Sequence, residues 1–398
     1  MDLNVKNLLD ISAYHKDEIE RVLDKKNPAF VQFDPVLGYV LNTYIFRDGM
    51  RKTLSAYTYE KHGGHRKMIN CVDQPCRINT YGDSFTQCAQ VSDGQTWQEI
   101  LAAHFREPIR NFGVGGYGVY QAYRRALRTE AIKDLAAEYI ILNIWDDDHM
   151  RNIDAARWNR VAWMCRDLPR GGKNAYPVHG FPWAHVRYNL EKGKFEELPG
   201  LCKKAEDLRK LADKKIYYET FKDDTVVHLY ILKEGGEAPT GELEKLAEAF
   251  KMKVDLRNPK KRAADALKLH YAYGLRSTEY IVEEMRKWTK ANKRKLMLLL
   301  SYDVPAVMEY LEKGERFDQE FVEYLDKKDF LYVDFLKKVK EEYRSFKLDI
   351  ESFIERFYIE RAGAQVFGHY NPYGNFWFAF SFREELVNWL NPKPPAYR

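Results

Sequence analysis

Two runs of almost entirely apolar residues set the strongest limit on how this chain can fold. They are Tyr139–Trp145 and Lys295–Ser301. Runs of this length are too short to cross a membrane and are typical of strands that are buried on both faces. Segments with apolar residues on one helical face separate these strands along the chain. Because strands and helices alternate, we expect an α/β fold with a mainly parallel sheet.

A serine follows a shorter strand pattern at residues 77–81, in the tripeptide Gly82-Asp83-Ser84. Glycine permits a sharp turn, and a serine after that turn would lie at the carboxyl end of a strand, where α/β sheets place their sites. Ser84 is therefore a candidate nucleophile, and the adjoining Asp83 is included among the candidate catalytic residues. An Asp-Ser helix cap or turn is the alternative interpretation.

Two further segments have the character of a binding site. Residues 111–118 contain four glycines, whose backbone N–H groups can approach a ligand closely. Residues 146–152 form a dense polar cluster directly after the strand Tyr139–Trp145. Polar residues at the ends of buried strands are typical of functional sites.

A histidine precedes the last helical pattern of the chain. His369 is followed by Asn371, which can cap that helix, and by Pro372, which suits its first turn. A cap fixes the loop and hence the imidazole, as a general base requires. His369 is the candidate base, with a structural helix cap as the alternative.

These segments resemble, in their order along the chain, the four blocks of the SGNH, or GDSL, hydrolase family. Residues 82–85 resemble the nucleophile block, 111–116 the glycine block, 145–148 the third block and 369–374 the histidine block. The resemblance covers about half of the chain and implies esterase activity, of the acetylesterase kind. It also implies a three-layer α/β/α sandwich with a mainly parallel, flavodoxin-like sheet.

The resemblance implies a role for each block. The oxyanion hole would be formed by the backbone N–H groups of Ser84 and Gly116 and by the side chain of residue 147. The candidate substrate-binding residues lie in or beside the blocks and are Asp148, His149, Arg151, Asn152, Tyr117 and Tyr370.

The chain departs from the family at two positions. Position 147 is Asp where the family has Asn, and a carboxylate donates no hydrogen bond to an oxyanion unless it is protonated. Either Asp147 is held neutral, or His149, Arg151 or Asn152 supplies the donor. The second departure is Val366, three residues before His369, where the family often carries Asp. The acid that orients the base must then come from elsewhere, with Asp334 as a candidate, or the site is a Ser-His dyad.

The pattern divides the chain into four regions. They are an N-terminal extension packing on the main domain (1–75), the first half of the α/β domain (76–153), an inserted lid or accessory subdomain (154–275) and the second half with the histidine loop (276–398). The insertion begins with a β-hairpin pattern around residues 183–198. Insertions at this position commonly set substrate choice.

Composition narrows the remaining possibilities. The N-terminus is too polar for a signal peptide, and no run of about 18 apolar residues occurs, so we expect a soluble, cytoplasmic protein without a membrane partner. The net charge of +5 is mild and spread widely, which argues against nucleic acid as a partner. The five cysteines and ten histidines show no convincing ligand spacing, so we expect neither a metal nor a cofactor.

The expected activity is hydrolysis of a carboxylic ester through a Ser84 acyl-enzyme, with His369 as general base. An acetyl or short acyl group on a carbohydrate is the first expectation for the substrate, from the family resemblance and from the aromatic content. Some of the 27 tyrosines and 8 tryptophans could line a sugar-binding groove, with packing in the core as the alternative. An O-acyltransferase using the same site and a catalytically inactive carbohydrate-binding protein are the alternatives. The oligomeric state stays open.

Overall fold

The computed structural model describes residues 2–166, 181–359 and 368–398. Its strands, numbered in chain order, are β1 (Val31–Asp34), β2 (Gly38–Leu41), β3 (Tyr44–Phe46), β4 (Ser55–Tyr57), β5 (Ile78–Tyr81), β6 (Arg110–Asn111), β7 (Tyr139–Trp145), β8 (His185–Asn189), β9 (Lys194–Leu198), β10 (Lys295–Ser301) and β11 (Tyr332–Asp334).

The α-helices alternate with these strands through most of the chain. They are α1 (Val5–Ser12), α2 (Lys16–Leu23), α3 (Ser84–Gln87), α4 (Trp97–Phe105), α5 (Val119–Glu130), α6 (Asp148–Arg151), α7 (Trp158–Met164), α8 (Lys214–Phe221), α9 (Thr225–Lys233), α10 (Gly241–Ala249), α11 (Arg262–Ala291), α12 (Val304–Lys313), α13 (Gln319–Lys327), α14 (Phe335–Tyr343), α15 (Ile350–Glu355), α16 (Pro372–Ser381) and α17 (Arg383–Trp389). Short 3-10 helices occupy Met50–Lys52, Asp93–Gln95, Ala205–Ala212 and Pro395–Tyr397.

Five strands form one parallel sheet, in the order β6-β5-β7-β10-β11. Counted along the chain, this is the order second, first, third, fourth, fifth. In doubly wound sheets of this order, ligands bind beyond the carboxyl ends of the strands, where the order reverses between the first and third strands. In this sheet those strands are β5 and β7. The prediction of an α/β fold with a mainly parallel sheet is confirmed.

The central strand β7 explains why this part of the chain forms a sheet with covered faces. All seven of its residues are buried, although successive side chains point to opposite faces. Both faces of the strand are therefore covered. Helix α5 packs against β5 and β7, and helix α14 packs against β10.

The chain divides into two compact units. The sheet unit comprises the described parts of residues 41–148 and 281–398, and the second unit comprises the described parts of 1–40 and 149–280. The predicted insertion at 154–275 lies inside the second unit. Of the predicted N-terminal extension, residues up to Val40 belong to the second unit and residues 41–75 to the sheet unit.

The second unit contains the predicted hairpin. Strands β8 and β9 pair in antiparallel register, with His185 opposite Leu198 and Asn189 opposite Lys194. The turn between them includes Gly193, which has a φ of +62°. Glycine adopts this left-handed conformation without the steric cost of a side chain.

Helix α11 is the longest helix of the described chain, at 30 residues. Charged side chains recur along it, from Arg262 and Asp265 near its beginning to Lys290 at its end. Neither it nor any other helix within the described ranges has the length and apolar character needed to span a membrane.

Candidate active site

A tight turn after β5 places Ser84 at the first position of helix α3. At Gly82 a Cβ would lie 2.1 Å from Thr86 Oγ1 and 2.6 Å from the Asn143 carbonyl oxygen, so only glycine fits. The Asp83 side chain caps the helix by accepting the Phe85 N–H at 2.8 Å. The cap predicted as an alternative is therefore present, and it places Ser84 at the carboxyl end of β5.

The Ser84 hydroxyl is directed at Asp83 in this structure. It donates to Asp83 Oδ2 at 3.2 Å, and within the described ranges it makes no hydrogen bond to His369. Ser84 is 7% exposed and Asp83 is fully buried. The carboxylate of Asp83 thus serves both the helix N-terminus and the candidate nucleophile.

The glycine loop packs tightly on helix α3. A Cβ at Gly113 would lie 2.1 Å from the Gln87 backbone nitrogen, and one at Gly115 would lie 3.5 Å from Ser84 Cβ. The contact with the Gln87 backbone therefore requires glycine at position 113, whereas the distance from Gly115 to Ser84 is an ordinary van der Waals contact. The Gly115 N–H donates to Gln87 Oε1 at 2.7 Å.

Gly116 differs from its neighbour in its backbone. Its φ is +87°, and no acceptor for its N–H lies among the described residues. The Ser84 N–H, at the first position of a helix, has no intrahelical partner either. These two N–H groups are the backbone donors that the resemblance assigns to an oxyanion hole.

Gln87 connects the glycine loop to a group of tyrosines and was not identified from the sequence. Its Nε2 donates to the hydroxyl groups of Tyr44, at 2.9 Å, and Tyr59, at 2.6 Å. Burial raises the pKa of Tyr59 to about 12, so this hydroxyl keeps its proton. The amide therefore fixes the loop through neutral partners.

Among the described residues, a glutamine holds both the backbone and the imidazole of His369. Gln90 Oε1 accepts hydrogen bonds from the His369 backbone N–H, at 3.0 Å, and from Nδ1, at 2.8 Å. Because an amide oxygen can only accept, Nδ1 carries the proton and Nε2 holds the lone pair of the neutral ring. This is the tautomer that a general base acting through Nε2 requires. Val366, where the family often has the orienting Asp, lies outside the described residues.

Gln90 is itself held from two sides. Its Nε2 donates to the Asp48 carbonyl oxygen at 3.1 Å, and its backbone N–H donates to the Tyr57 hydroxyl. The buried guanidinium of Arg66 fixes the same segment by donating to the carbonyl oxygens of Cys88, at 3.0 Å, and Val91, at 3.0 Å. The sequence gives no local pattern for these contacts, because the partners lie in separate segments.

Replacing Gln90 by leucine should lower kcat of the proposed ester hydrolysis by about 10–100-fold with little change in KM. Leucine removes one hydrogen bond to the imidazole, which becomes charged during the reaction. Such a hydrogen bond contributes about 1.5–3 kcal/mol, which corresponds to the expected fall in kcat. Steady-state kinetics on a short-chain chromogenic ester would measure it. Gln319→Leu, at an exposed glutamine of the same unit, is the matched control and should leave kcat unchanged. An unaltered kcat in Gln90→Leu would remove Gln90 from the account.

Aromatic rings join the two candidate catalytic segments. The ring of Phe85, the neighbour of Ser84, lies 5.2 Å from the imidazole of His369 and 5.5 Å from Trp145. His369 is 9% exposed. Folding therefore places the nucleophile segment, the end of β7 and the histidine loop around one side chain.

The polar cluster after β7 contains a carboxyl pair that the sequence did not reveal. Asp146 Oδ2 accepts the Asp303 N–H at 3.0 Å, and the two side chains hydrogen-bond to each other. Burial, followed by the charge of Asp303, raises the pKa of Asp146 well above its ordinary value. Burial also raises the pKa of Asp303, and the nearby charge of Asp147 adds to it. The pair therefore retains a proton where single aspartates would be ionised.

The Asp146→Asn variant tests this pair through stability. An unfolded aspartate ionises at a pKa of about 3.9, whereas the folded protein keeps this proton to higher pH. Above the unfolded value the folded state binds more protons, so its free energy of unfolding falls as the pH rises towards the raised pKa. Asparagine mimics the protonated acid and does not titrate. Thermal unfolding of the variant should match wild type near pH 4 and occur at higher temperature than wild type at pH 8; equal pH dependence would contradict the raised pKa.

The other predicted site residues occupy several environments. In the sheet unit, Asp148 accepts the Trp145 N–H at 3.1 Å. The side chains of Tyr117 and Tyr370 are buried. The centre of the Tyr370 ring lies 4.9 Å from the centre of the Phe85 ring. The other three residues, His149, Arg151 and Asn152, are buried and lie in the second unit, at the start of its segment 149–280. His149 Nδ1 and Asn152 Nδ2 hydrogen-bond to Thr278 Oγ1 at 2.8 and 2.9 Å. Their role as substrate-binding residues stays a prediction.

Asp334 has a structural position. It caps helix α14 by accepting the Leu336 N–H at 3.1 Å and forms a buried ion pair with Arg316. Arg316 also pairs with Asp318 at 2.7 Å. The contacts of Asp334 are those of a helix cap, and His369 is oriented by Gln90.

No family model matches the chain, and no curated protein matches it.

Proposed function

We propose that this protein is a serine hydrolase that cleaves carboxylic esters through a Ser84 acyl-enzyme, in the manner of the SGNH family. The observation that supports this most strongly is the arrangement around Phe85, where the Ser84 segment adjoins a histidine whose Nδ1 is fixed by Gln90. Ser84 also follows β5, beside the point where the strand order reverses. We further infer a three-layer α/β/α arrangement of the sheet unit, which the complete burial of β7 supports.

The first chemical step requires the Ser84 hydroxyl to turn from Asp83 to His369. Rotation of the Ser84 side-chain torsion between staggered positions would redirect it. Ser84 Oγ then forms a bond to the ester carbonyl carbon while its proton passes to His369 Nε2. The side-chain Oε1 of Gln90 accepts the hydrogen bond from Nδ1–H throughout, so the imidazolium that forms keeps its orientation.

The negative charge of the tetrahedral intermediate would be stabilised by the N–H groups of Ser84 and Gly116. Preorganised donors of this kind each contribute roughly 3 kcal/mol of transition-state stabilisation. Collapse of the intermediate breaks the bond to the alcohol oxygen, which takes the proton from His369. Water repeats the sequence with Ser84 as the leaving group, releasing the acid and restoring the enzyme.

Position 147 is where a third donor is expected and an aspartate is found. An ionised carboxylate there would repel the developing oxyanion, most strongly in a site of low dielectric constant. Sites do use neutral carboxylic acids as donors when burial and neighbouring carboxylates raise the pKa. Burial raises the pKa values of the neighbouring Asp146 and Asp303, which supports retention of a proton beside this position. Asp147 therefore acts as a protonated donor, or it turns away and orients another donor.

Asp147→Asn distinguishes these roles. If Asp147 faces the oxyanion, asparagine supplies a permanent donor, and kcat at neutral to alkaline pH should be preserved or raised. The pH–rate profile of the variant against that of wild type is the measurement. A large loss of kcat with an unchanged melting temperature would mean that Asp147 acts as an anion and that its assignment to the oxyanion hole is wrong.

We propose an acetyl or other short acyl ester on a carbohydrate as the substrate class. The support is the family resemblance together with the abundance of tyrosine and tryptophan. Release of acid from a chromogenic acetyl ester tests hydrolysis. Repeating the reaction with an added sugar alcohol distinguishes hydrolysis from O-acyl transfer, because a transferase would form the new ester.

A non-catalytic carbohydrate-binding protein is the second candidate. The observation that favours it is the hydrogen bond of Ser84 to Asp83, which directs the hydroxyl away from the base. Absence of turnover with every ester tested, together with saturable sugar binding, would support this candidate over the enzyme.

A further inference from the structure

The second unit contains an open cleft of about 410 Å³. This volume is within the range of small-molecule sites. The hairpin β8–β9 and the beginning of helix α9 supply much of its wall, and the end of helix α8, Ala155, Leu201 and Tyr273 supply the rest. None of these residues belongs to the site proposed for ester hydrolysis.

The pairing of the hairpin places a polar and an apolar group side by side. His185 lies directly opposite Leu198 across the strands, and opposite residues of an antiparallel pair point to the same face. Arg187, two residues beyond His185, shares that face. One face of the hairpin therefore presents an imidazole, a guanidinium and an aliphatic side chain to the cleft.

An ion pair between Arg187 and Asp224 forms the polar floor of the cleft, and the two charges cancel each other. Arg187 Nη2 donates to Asp224 Oδ2 at 2.7 Å, and the side chain of Arg187 is 14% exposed. Asp224 Oδ1 in turn caps helix α9 by accepting the Val226 N–H at 2.8 Å. The floor is thus rigid before a ligand arrives, which lowers the entropic cost of binding. With Asp223 also in the wall, the cleft has no net positive charge.

His185 supplies a hydrogen-bond acceptor. Its Nδ1 donates to the Trp183 carbonyl oxygen at 3.2 Å, so Nε2 holds the lone pair. Burial, with the charge of Arg187 beside it, lowers the pKa of His185 to about 3. The ring is therefore neutral at physiological pH.

The rim of the cleft is apolar and exposed to solvent. Leu198 is 38% exposed and Leu201 is 45% exposed. Pro199 lies between them. Exposed apolar side chains gathered beside fixed polar groups are typical of binding sites.

We propose that this cleft binds a neutral glycan segment. Sugar rings present apolar C–H faces, which the leucines would cover, and vicinal hydroxyl groups, which can both donate to His185 and Asp224 and accept from Arg187. An anionic ligand would meet no net positive charge. A purely apolar ligand would bury the floor without hydrogen bonds, at a cost in free energy. The proposal is independent of the ester chemistry at Ser84.

Binding of neutral tetrasaccharides to the full-length Ser84→Ala protein tests the proposal without turnover. Saturation-transfer NMR and calorimetry would be run with cello-, xylo-, manno- and chitotetraose, with tetragalacturonate and tetra-alanine as the anionic and peptide comparators. Leu201→Glu changes the rim of the cleft. Ile216→Glu is the matched control, because Ile216 is also 45% exposed, lies on helix α8 in the same unit and does not line the cleft.

At least one neutral tetrasaccharide should bind, at least tenfold more weakly to the Leu201→Glu protein than to the Ile216→Glu protein. Both variants should unfold at the same temperature, since both positions are on the surface. The proposal is overturned if no neutral tetrasaccharide binds, if only tetragalacturonate or tetra-alanine binds, or if the two glutamate variants bind equally.

Discussion

Ser84→Ala should abolish covalent labelling by a fluorophosphonate probe and reduce ester hydrolysis by on the order of 10⁴-fold or more. The hydroxyl is the only group of this residue that can form the acyl-enzyme, so no partial activity through Ser84 survives its removal. The loss should appear in kcat, because the oxyanion hole and the substrate-binding surface are unchanged in the variant. Gel fluorescence after labelling, together with steady-state kinetics, measures both effects.

Ser381→Ala is the matched control for this experiment. Ser381 is also 7% exposed and lies in helix α16 of the same unit, where its hydroxyl donates to the Phe378 carbonyl oxygen at 2.8 Å. Its variant should label and turn over as wild type does. Labelling that persists in Ser84→Ala would mean that another residue is the nucleophile.

His369→Ala should lower kcat by about 10²–10⁴-fold, the usual contribution of a positioned general acid–base group. Phosphonate labelling should slow in parallel, because the same base activates Ser84 for both reactions. His104→Ala, at a half-buried histidine on helix α4, is the control and should retain activity. Steady-state assays of the two variants at one pH compare their kcat values.

The same assays test whether the reaction needs a metal. Serine, histidine and backbone N–H groups suffice for the proposed chemistry. In the described part of the chain, no group of three or more His, Cys, Asp or Glu side chains is arranged so that it could hold a metal ion. A chelator should therefore leave kcat unchanged. Activity that survives in His369→Ala, or that a chelator removes, would overturn the role of His369 as the base.

The sheet was predictable because its signal is local. Buried strands such as β7 and β10 read as unbroken apolar runs, and their alternation with amphipathic helices requires a parallel arrangement. The turn at Gly82 and the helix cap at Asp83 were predictable for the same reason, since each depends on adjacent residues. The association of residues up to Val40 with the second unit depends on packing between distant segments, and no local pattern indicates it.

The groups that position the candidate site were missed for a physical reason. The sequence directed attention to carboxylates as partners of His369, but an amide oxygen satisfies an imidazole N–H equally well in geometry. Gln90 and Gln87 lie in a loop and a short helix whose side chains reach segments far away in sequence. Asp303 was missed because β10 brings it beside the end of β7 only when the strands pair. Contacts between residues so distant in the chain produce no local sequence pattern from which they could be predicted.

A crystal structure of the protein after reaction with a serine-directed phosphonate tests the central claim most directly. We expect a covalent bond from Ser84 Oγ to phosphorus, with the phosphoryl oxygen within about 3.1 Å of the Ser84 and Gly116 nitrogen atoms. His369 Nε2 should face the phosphonate, with Nδ1 still bonded to Gln90 Oε1. A phosphonate attached to another residue, or a phosphoryl oxygen that contacts neither N–H group, would contradict the account.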